Sequence, residues 1–398
     1  MLQSALMFLQ AIAFLTCCKY VRPSCRITGK DISKFLSDGD EKFLEEACSS
    51  WNDYATQGHT GVIELFQAQD IWLCRLGSSR SLDCDISGIQ GAARRDVKRS
   101  AYYKKCPKGP TLRKEIRSLT YSERRRFLKA VQKLKNTFVG NVSRYDIIAR
   151  LHDPTIAPQA HFSAAFLPWH REYILRFENA LKEIDCFVTL PYWDSTLDYA
   201  LPDGRDSILW TDKYMGNGDG PVDSGPFSNW SIPEEVQNNV PIFSTQFRDI
   251  LFRSTSESPG FFTPRSIDAI FEARRFRELV WPVNILFEAV HGRIHNWVGG
   301  HMRYLLSVAF DPVFWLHHAF VDCLWEEWRE KFQEGDPEID YVTEDGELHD
   351  SPNLADFARG DAHGLRNDYT EKYYKCAPRP TCSVKQPTCN SRYLFCDP

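Results

Sequence analysis

Eleven histidines occur in the 398 residues, and eight of them fall into two groups. The first is His152, His161 and His170; the second is His291, His295, His301, His317 and His318. Helical spacing turns most of them inward. His170 shares a face with Tyr173, Ile174 and Phe177, and His152 shares one with Tyr145 and Ile148. His291 and His295 are four apart, hence neighbours beside Phe287, Ile294 and Val298. His318 lies in line with Phe314, Val321 and Trp325. A lone buried histidine usually satisfies itself with one hydrogen bond. Five or six inward-facing imidazoles each need a partner, and a shared metal satisfies several at once.

The ligand type narrows the metal. His291-x3-His295 has the spacing of a zinc-protease helix, but Gly292 stands where that motif needs its general-base Glu. No Asp or Glu sits at helical ligand spacing among the histidines, which argues against a di-iron carboxylate site. All-imidazole coordination suits copper, zinc or nickel. Two three-histidine sites on facing helices suit a pair of copper ions, because neutral nitrogen ligands accept both Cu(I) and Cu(II).

Helices must position these groups. Thr120-Tyr121-Ser122-Glu123 reads as a capping box opening a helix through Lys135. Ser143 opens a second through Leu151. A third is expected over 170–184, with Ile184 and Leu181 continuing the apolar face, and a fourth over 285–298. Asp311 as N-cap and Pro312 in the first turn start a fifth, through Lys331. Residues 191–230 are rich in Gly, Pro, Asp and Asn and read as a long ordered loop. Two histidine-bearing helix pairs suggest a coarse duplication.

Composition sets the surroundings. Apolar residues make up 43% and charged residues 25%, enough for a packed core. A net charge of −5 argues against nucleic acid as the main partner. Arg94, Arg95, Lys98, Arg99, Lys104, Lys105 and Lys108 form a local basic run, read as a solvated face or a polyanion site. Residues 6–18 are nearly all apolar and too short to span a bilayer, so residues 1–20 read as a signal peptide and no later segment as a membrane span. Thirteen cysteines then point to an oxidising, extracellular compartment. They crowd both ends, which predicts a Cys-rich extension over 21–110, a core-stabilised domain over 111–335 and a Cys-containing extension over 336–398. An odd count after signal removal leaves at least one thiol free or intermolecular. Asn141-Val142-Ser143 and Asn229-Trp230-Ser231 are glycosylation sequons.

The motifs also carry a resemblance. Ala160-His161, Phe166-Leu167-Pro168-Trp169-His170-Arg171, His291-x3-His295-Asn296-Trp297 and Asp311-Pro312-Val313-Phe314-Trp315-Leu316-His317-His318 resemble the two copper motifs of tyrosinases. Leu190-Pro191-Tyr192-Trp193-Asp194 between them also matches. The similarity runs over about 119–332 and is closest to secreted invertebrate, molluscan shell-matrix proteins of that family. It implies a mainly α fold, a four-helix bundle holding a binuclear copper site, with long ordered loops and disulfide-rich extensions. It implies His152, His161 and His170 on one copper, and His291, His295 and His318 on the other. Adjacent His317 and His318 point about 100° apart; periodicity does not choose between them, and the resemblance selects His318.

The implied activity is oxidation of phenols and o-diphenols to o-quinones with O2 as co-substrate. The substrates would be tyrosine- or DOPA-like molecules or tyrosyl groups of matrix proteins, and the use pigment formation or matrix crosslinking. Glu288 would hold a water that deprotonates the phenol. Gly292 stands where many monophenol-hydroxylating members carry Asn, which favours catechol oxidation. Leu305 would lie as a gate over the second copper. Asp322 either orients a ligand imidazole or forms a salt bridge with an arginine. No cysteine lies between Cys106 and Cys186, so a local Cys–His crosslink cannot form. The alternatives are a haemocyanin-like O2 binder and a matrix protein that has kept the fold and lost turnover.

Overall fold

Thr120 starts the first long helix by the expected chemistry. Its hydroxyl accepts the Glu123 N–H, and the Glu123 carboxylate accepts the Thr120 N–H. This helix, α1 (Tyr121–Lys135), buries Phe127, Ala130, Val131 and Leu134 and turns Arg125, Arg126, Lys129 and Lys133 to solvent. It belongs to a computed structural model that describes residues 106–240, 249–258, 260–281, 283–336, 340–341, 363–385, 387–389 and 391–394. The expected signal peptide, nearly all of the N-terminal extension and most of the basic run lie outside the described residues.

Ser143 caps α2 (Arg144–Ala149) by accepting the Asp146 N–H. The α-helix ends two residues before the expected Leu151, and a 3-10 turn, Arg150–His152, carries His152 instead. Asp153 precedes Pro154, and the residue before a proline is driven out of the α region. Helix α3 (Phe166–Ile184) begins four residues earlier than its periodicity suggested. Pro168 falls in its first turn, where backbone N–H groups have no helical acceptor to lose. After α4 (Pro264–Phe271), α5 (Leu286–Val298) starts within a residue of expectation and stops at Gly299, held at φ 62. A Cβ there would lie 2.4 Å from the Ser254 carbonyl oxygen, so only glycine fits. Helix α6 (Val313–Lys331) begins after Pro312, one residue later than expected. Asp311 Oδ1 still accepts the Val313 N–H at 2.9 Å, while both carboxylate oxygens are held by Arg253.

The helices dominate, and three two-stranded sheets fasten the connections. β1 (Thr111–Arg113) pairs in parallel with β6 (Tyr374–Cys376). β2 (Phe138–Val139) pairs with β3 (Val142–Ser143), and β4 (Asp219–Pro221) with β5 (Phe252–Ser254), both antiparallel. The β1–β6 pair brings the C-terminal segment onto the helical core. The expectation that cysteines staple each flank to itself does not hold for the two described bridges. Cys106–Cys186 and Cys323–Cys376 each join a flank to the centre. Cys389 is free.

Helices α3 and α6 pack through aromatic faces, with Phe177 and Trp315 stacked at 3.9 Å between centroids. Beside them runs a buried ionic network. Arg113 meets Glu178 at 2.7 Å and Asp322 at 2.8 Å, and Arg171 meets Asp322 at 3.0 Å and Glu326. Charges this deep are tolerated because each is paired more than once. Among the described residues no helix is long and apolar enough to cross a membrane.

Candidate metal centre

Two clusters of imidazoles meet between α3, α5 and α6. In the first, His152 comes from the 3-10 turn after α2, His161 from the loop before α3 and His170 from α3; all three are buried, with ligand-type nitrogens within 4.8 Å of one another. The Nε2 atoms of His152 and His170 are 3.3 Å apart. In the second, His291 and His295 come from α5 and His318 from α6. Their Nε2 atoms converge, at 2.8 Å for His291–His295, 3.2 Å for His291–His318 and 3.1 Å for His295–His318.

Backbone carbonyls orient several of these rings. His152 Nδ1–H donates to Leu305 O at 2.9 Å, His170 Nδ1–H to Phe166 O at 2.8 Å, and His291 Nδ1–H to Glu288 O at 2.9 Å. Each bond places the proton on Nδ1 and leaves the Nε2 lone pair facing the cluster. Burial depresses the basicity of all six imidazoles, His152 to about 4 and His291 to about 3, so they stay neutral donors. Several lone pairs facing one another in a dry site repel unless a cation lies among them. This donor set fits a soft or borderline metal ion in each cluster.

His317 is also within reach of the second cluster. Its Nε2, however, bonds the His291 carbonyl oxygen at 3.1 Å, and its ring lies parallel to that of His291, 5.2 Å away. His301 stands apart; its Nδ1 accepts the Phe252 N–H at 2.9 Å. The two clusters are contiguous. His170 and His318 stack at 4.4 Å, and Phe314 packs on His318 at 4.1 Å.

The structure places the remaining site residues as follows. Glu288 is buried, and burial raises its carboxyl to about 8 against the opposing Phe162 hydrogen bond. Its Oε1 accepts the Phe162 N–H at 2.8 Å, and its Oε2 has no protein partner. Phe162 is held at φ 51, which costs a non-glycine residue about 1–2 kcal/mol. Gly292 is half-buried on α5, directly after His291. The Leu305 carbonyl accepts from His152, in the first cluster. Asp322 takes the salt-bridge reading, between Arg113 and Arg171. The orienting acceptors missed in the sequence are thus backbone oxygens. Two of them, Phe166 for His170 and Glu288 for His291, lie one helical turn back and follow from helix arithmetic; Leu305 is 153 residues from His152 and leaves no local signal.

The chain is similar to known proteins in sequence and in fold. Residues 142–331 match the model of the common central domain of tyrosinase. A tyrosinase-like protein of Caenorhabditis elegans is 37% identical over 299 residues, spanning 73% of this chain and 42% of that protein. Tyrosinase-like protein 2 of Margaritifera margaritifera is 35% identical, over 60% of this chain and 56% of its own. The chain thus spans about half the length of these two relatives. The tyrosinase of Streptomyces antibioticus is 34% identical over 276 residues, covering 62% of this chain and 90% of its own. A solved polyphenol oxidase from Thermothelomyces thermophila superposes with a TM-score of 0.51 at 20% identity, over 67% of this chain and 88% of that one, a likeness of fold alone.

Proposed function

Because the chain belongs to the tyrosinase family of binuclear copper proteins, we propose that it oxidises phenols and o-diphenols to o-quinones with O2 as co-substrate. His152, His161 and His170 hold one copper ion, and His291, His295 and His318 the other, within a four-helix bundle. The observation that supports this most is the meeting of two buried imidazole clusters across the stacked His170–His318 pair. When bound, the copper pair supplies two-electron redox chemistry between O2 and the phenol.

The chain's own residues orient and exclude. Carbonyls of Leu305, Phe166 and Glu288 fix the ring protons of His152, His170 and His291. Phe314 and Phe166 pack against the imidazoles and keep water from their edges. Glu288, anchored through Oε1 on Phe162, keeps Oε2 for a water that takes the phenol proton. Gly292 adds no side chain to hold that water, which favours o-diphenols over monophenols. Leu305 leaves moderate room for a planar ring at the second copper.

Small tyrosine- or DOPA-like phenols, or tyrosyl side chains of matrix proteins, are the substrates of this reading. The disulfides support an extracellular setting, with pigment formation or quinone crosslinking of an extracellular matrix as the use. The test is copper stoichiometry alongside oxidation of L-DOPA and tyrosine. Copper in both clusters with rapid L-DOPA oxidation is expected. Full copper with reversible O2 binding and no oxidation would replace catalysis by O2 carriage, and incomplete copper would point to a structural role.

A further inference from the structure

The outer face of α1 carries a run of cations. Arg125, Lys129 and Lys133 follow one another at four-residue spacing, all exposed. With Arg126 they line a hollow of about 630 Å³ whose one carboxylate among the described residues is Asp185. Arg126 already pairs with that carboxylate at 2.6 Å. Among the described residues, Arg125, Lys129 and Lys133 form no ion pair, whereas nearby cations are matched: Lys135 with Asp146, Lys114 with Glu123, and Arg124 bonded to the Tyr214 hydroxyl. Like charges four apart on a helix cost a few tenths of a kcal/mol per pair, about 0.2–0.5. A bound anion would relieve that repulsion.

We propose that the hollow docks an acidic polysaccharide, a stiff chain bearing sulfate or carboxylate groups at regular intervals. The cations from Arg125 to Lys133 extend about 12 Å along the helix, longer than one small anion spans. Each exposed contact contributes only about 0–1 kcal/mol, so the ligand must bring several charges while losing little freedom. A flexible acidic peptide would spend about 1–2 kcal/mol for each residue it orders; a stiff glycan avoids most of that. Phe187, 40% exposed with the Arg126 guanidinium 5.2 Å from its ring, adds an aromatic edge that a sugar ring can cover. Ile184, which also lines the hollow, lies about 21 Å along α3 from His170, so docking leaves the histidine clusters open.

The test uses the full chain with a heparin-derived hexasaccharide, size-matched poly-aspartate and inorganic sulfate, each titrated calorimetrically at low and high salt. The hexasaccharide is expected to bind in a salt-sensitive way and to outcompete both other probes. The triple variant Arg125→Glu, Lys129→Glu, Lys133→Glu should weaken it by about tenfold or more. A control of equal charge change at exposed positions, Lys213→Glu, Lys375→Glu, Lys385→Glu, should weaken it far less. L-DOPA oxidation and the thermal midpoint, read on both variants, verify that they are folded. Equal losses in the two variants would overturn the site. Poly-aspartate binding as tightly as the hexasaccharide would overturn the glycan assignment, and no binding by any probe would overturn the proposal entirely.

Discussion

His170 and His318 lie stacked, their ring centroids 4.4 Å apart and their planes 14° from parallel. One ring belongs to α3 and the first cluster, the other to α6 and the second. A change that removes either ring therefore opens a gap at the seam as well as deleting a donor.

His170→Ala and His295→Ala should each empty one site and abolish L-DOPA oxidation. Metal analysis should find about one copper per chain in place of two. Either variant retaining both coppers and near-normal oxidation would refute the ligand assignment.

The neighbouring pair on α6 separates ligand from support. His318→Ala should lose copper. His317→Gln should keep both coppers and instead lower stability by roughly 1–3 kcal/mol, because the bond to the His291 carbonyl is disturbed in a buried site. The two measurements are copper content and denaturant midpoint; the reverse pattern would exchange their roles.

Substrate preference should respond to Gly292 and Glu288. Gly292 is helical without a positive φ, so Asn can stand there without backbone strain. Gly292→Asn should raise the tyrosine-to-L-DOPA rate ratio. Glu288→Gln should lower tyrosine hydroxylation by about tenfold or more while copper content stays at two. An unchanged ratio in both variants would leave the water-holding role without support.

Acid should loosen the fold through Glu178. Burial alone would raise this carboxyl, but the charges of Arg113 and Lys182, with hydrogen bonds from Thr111 and Arg113, bring it to about 2, below the ordinary 4.5. A depressed folded value means the contribution is complete above pH 4.5 and is lost as pH falls toward 2. Urea midpoints should fall across that window. Glu178→Gln should flatten the fall and cost about 3–5 kcal/mol at neutral pH, since it leaves Arg113 short of a buried partner. A parallel pH profile in the variant would show that another group controls the acid transition.

Arg171 tests the same network from α3. Its guanidinium holds Asp322, Glu326 and the Gly364 carbonyl, with Trp325 3.7 Å beneath it. Arg171→Met should cost about 3–5 kcal/mol, because two buried carboxylates lose a partner. Limited proteolysis should then cut the segment around 363–376 first, and an unchanged cleavage pattern would show that the β1–β6 pair and the Cys323–Cys376 disulfide hold it without Arg171.

Local chemistry made much of this protein readable from its residues. The capping box at Thr120, the cap at Ser143, the start of α5 and the inward faces of the histidine-bearing helices depend on contacts within about one turn, which the order of residues contains. The motifs also singled out six histidines that the fold brings into two adjoining groups. Where expectation slipped, a neighbouring residue intervened: Pro154 shortened α2, and Pro168 was tolerated inside the first turn of α3.

Tertiary structure decided the choice among partners. Asp322 could face an imidazole or an arginine, and the packing of β1 and α3 against α6 gave it Arg113 and Arg171, 209 and 151 residues away. His317 and His318 both lie on apolar strips, and the rotation of α6 about its axis turned one toward the His291 carbonyl and the other toward the converging Nε2 atoms. Leu305 reached His152 through its backbone, and cysteines at the two ends found Cys186 and Cys323 in the middle. Sequence determines which groups are available and the face each occupies; only the angle and rotation at which helices pack bring one distant group, rather than another, within bonding distance.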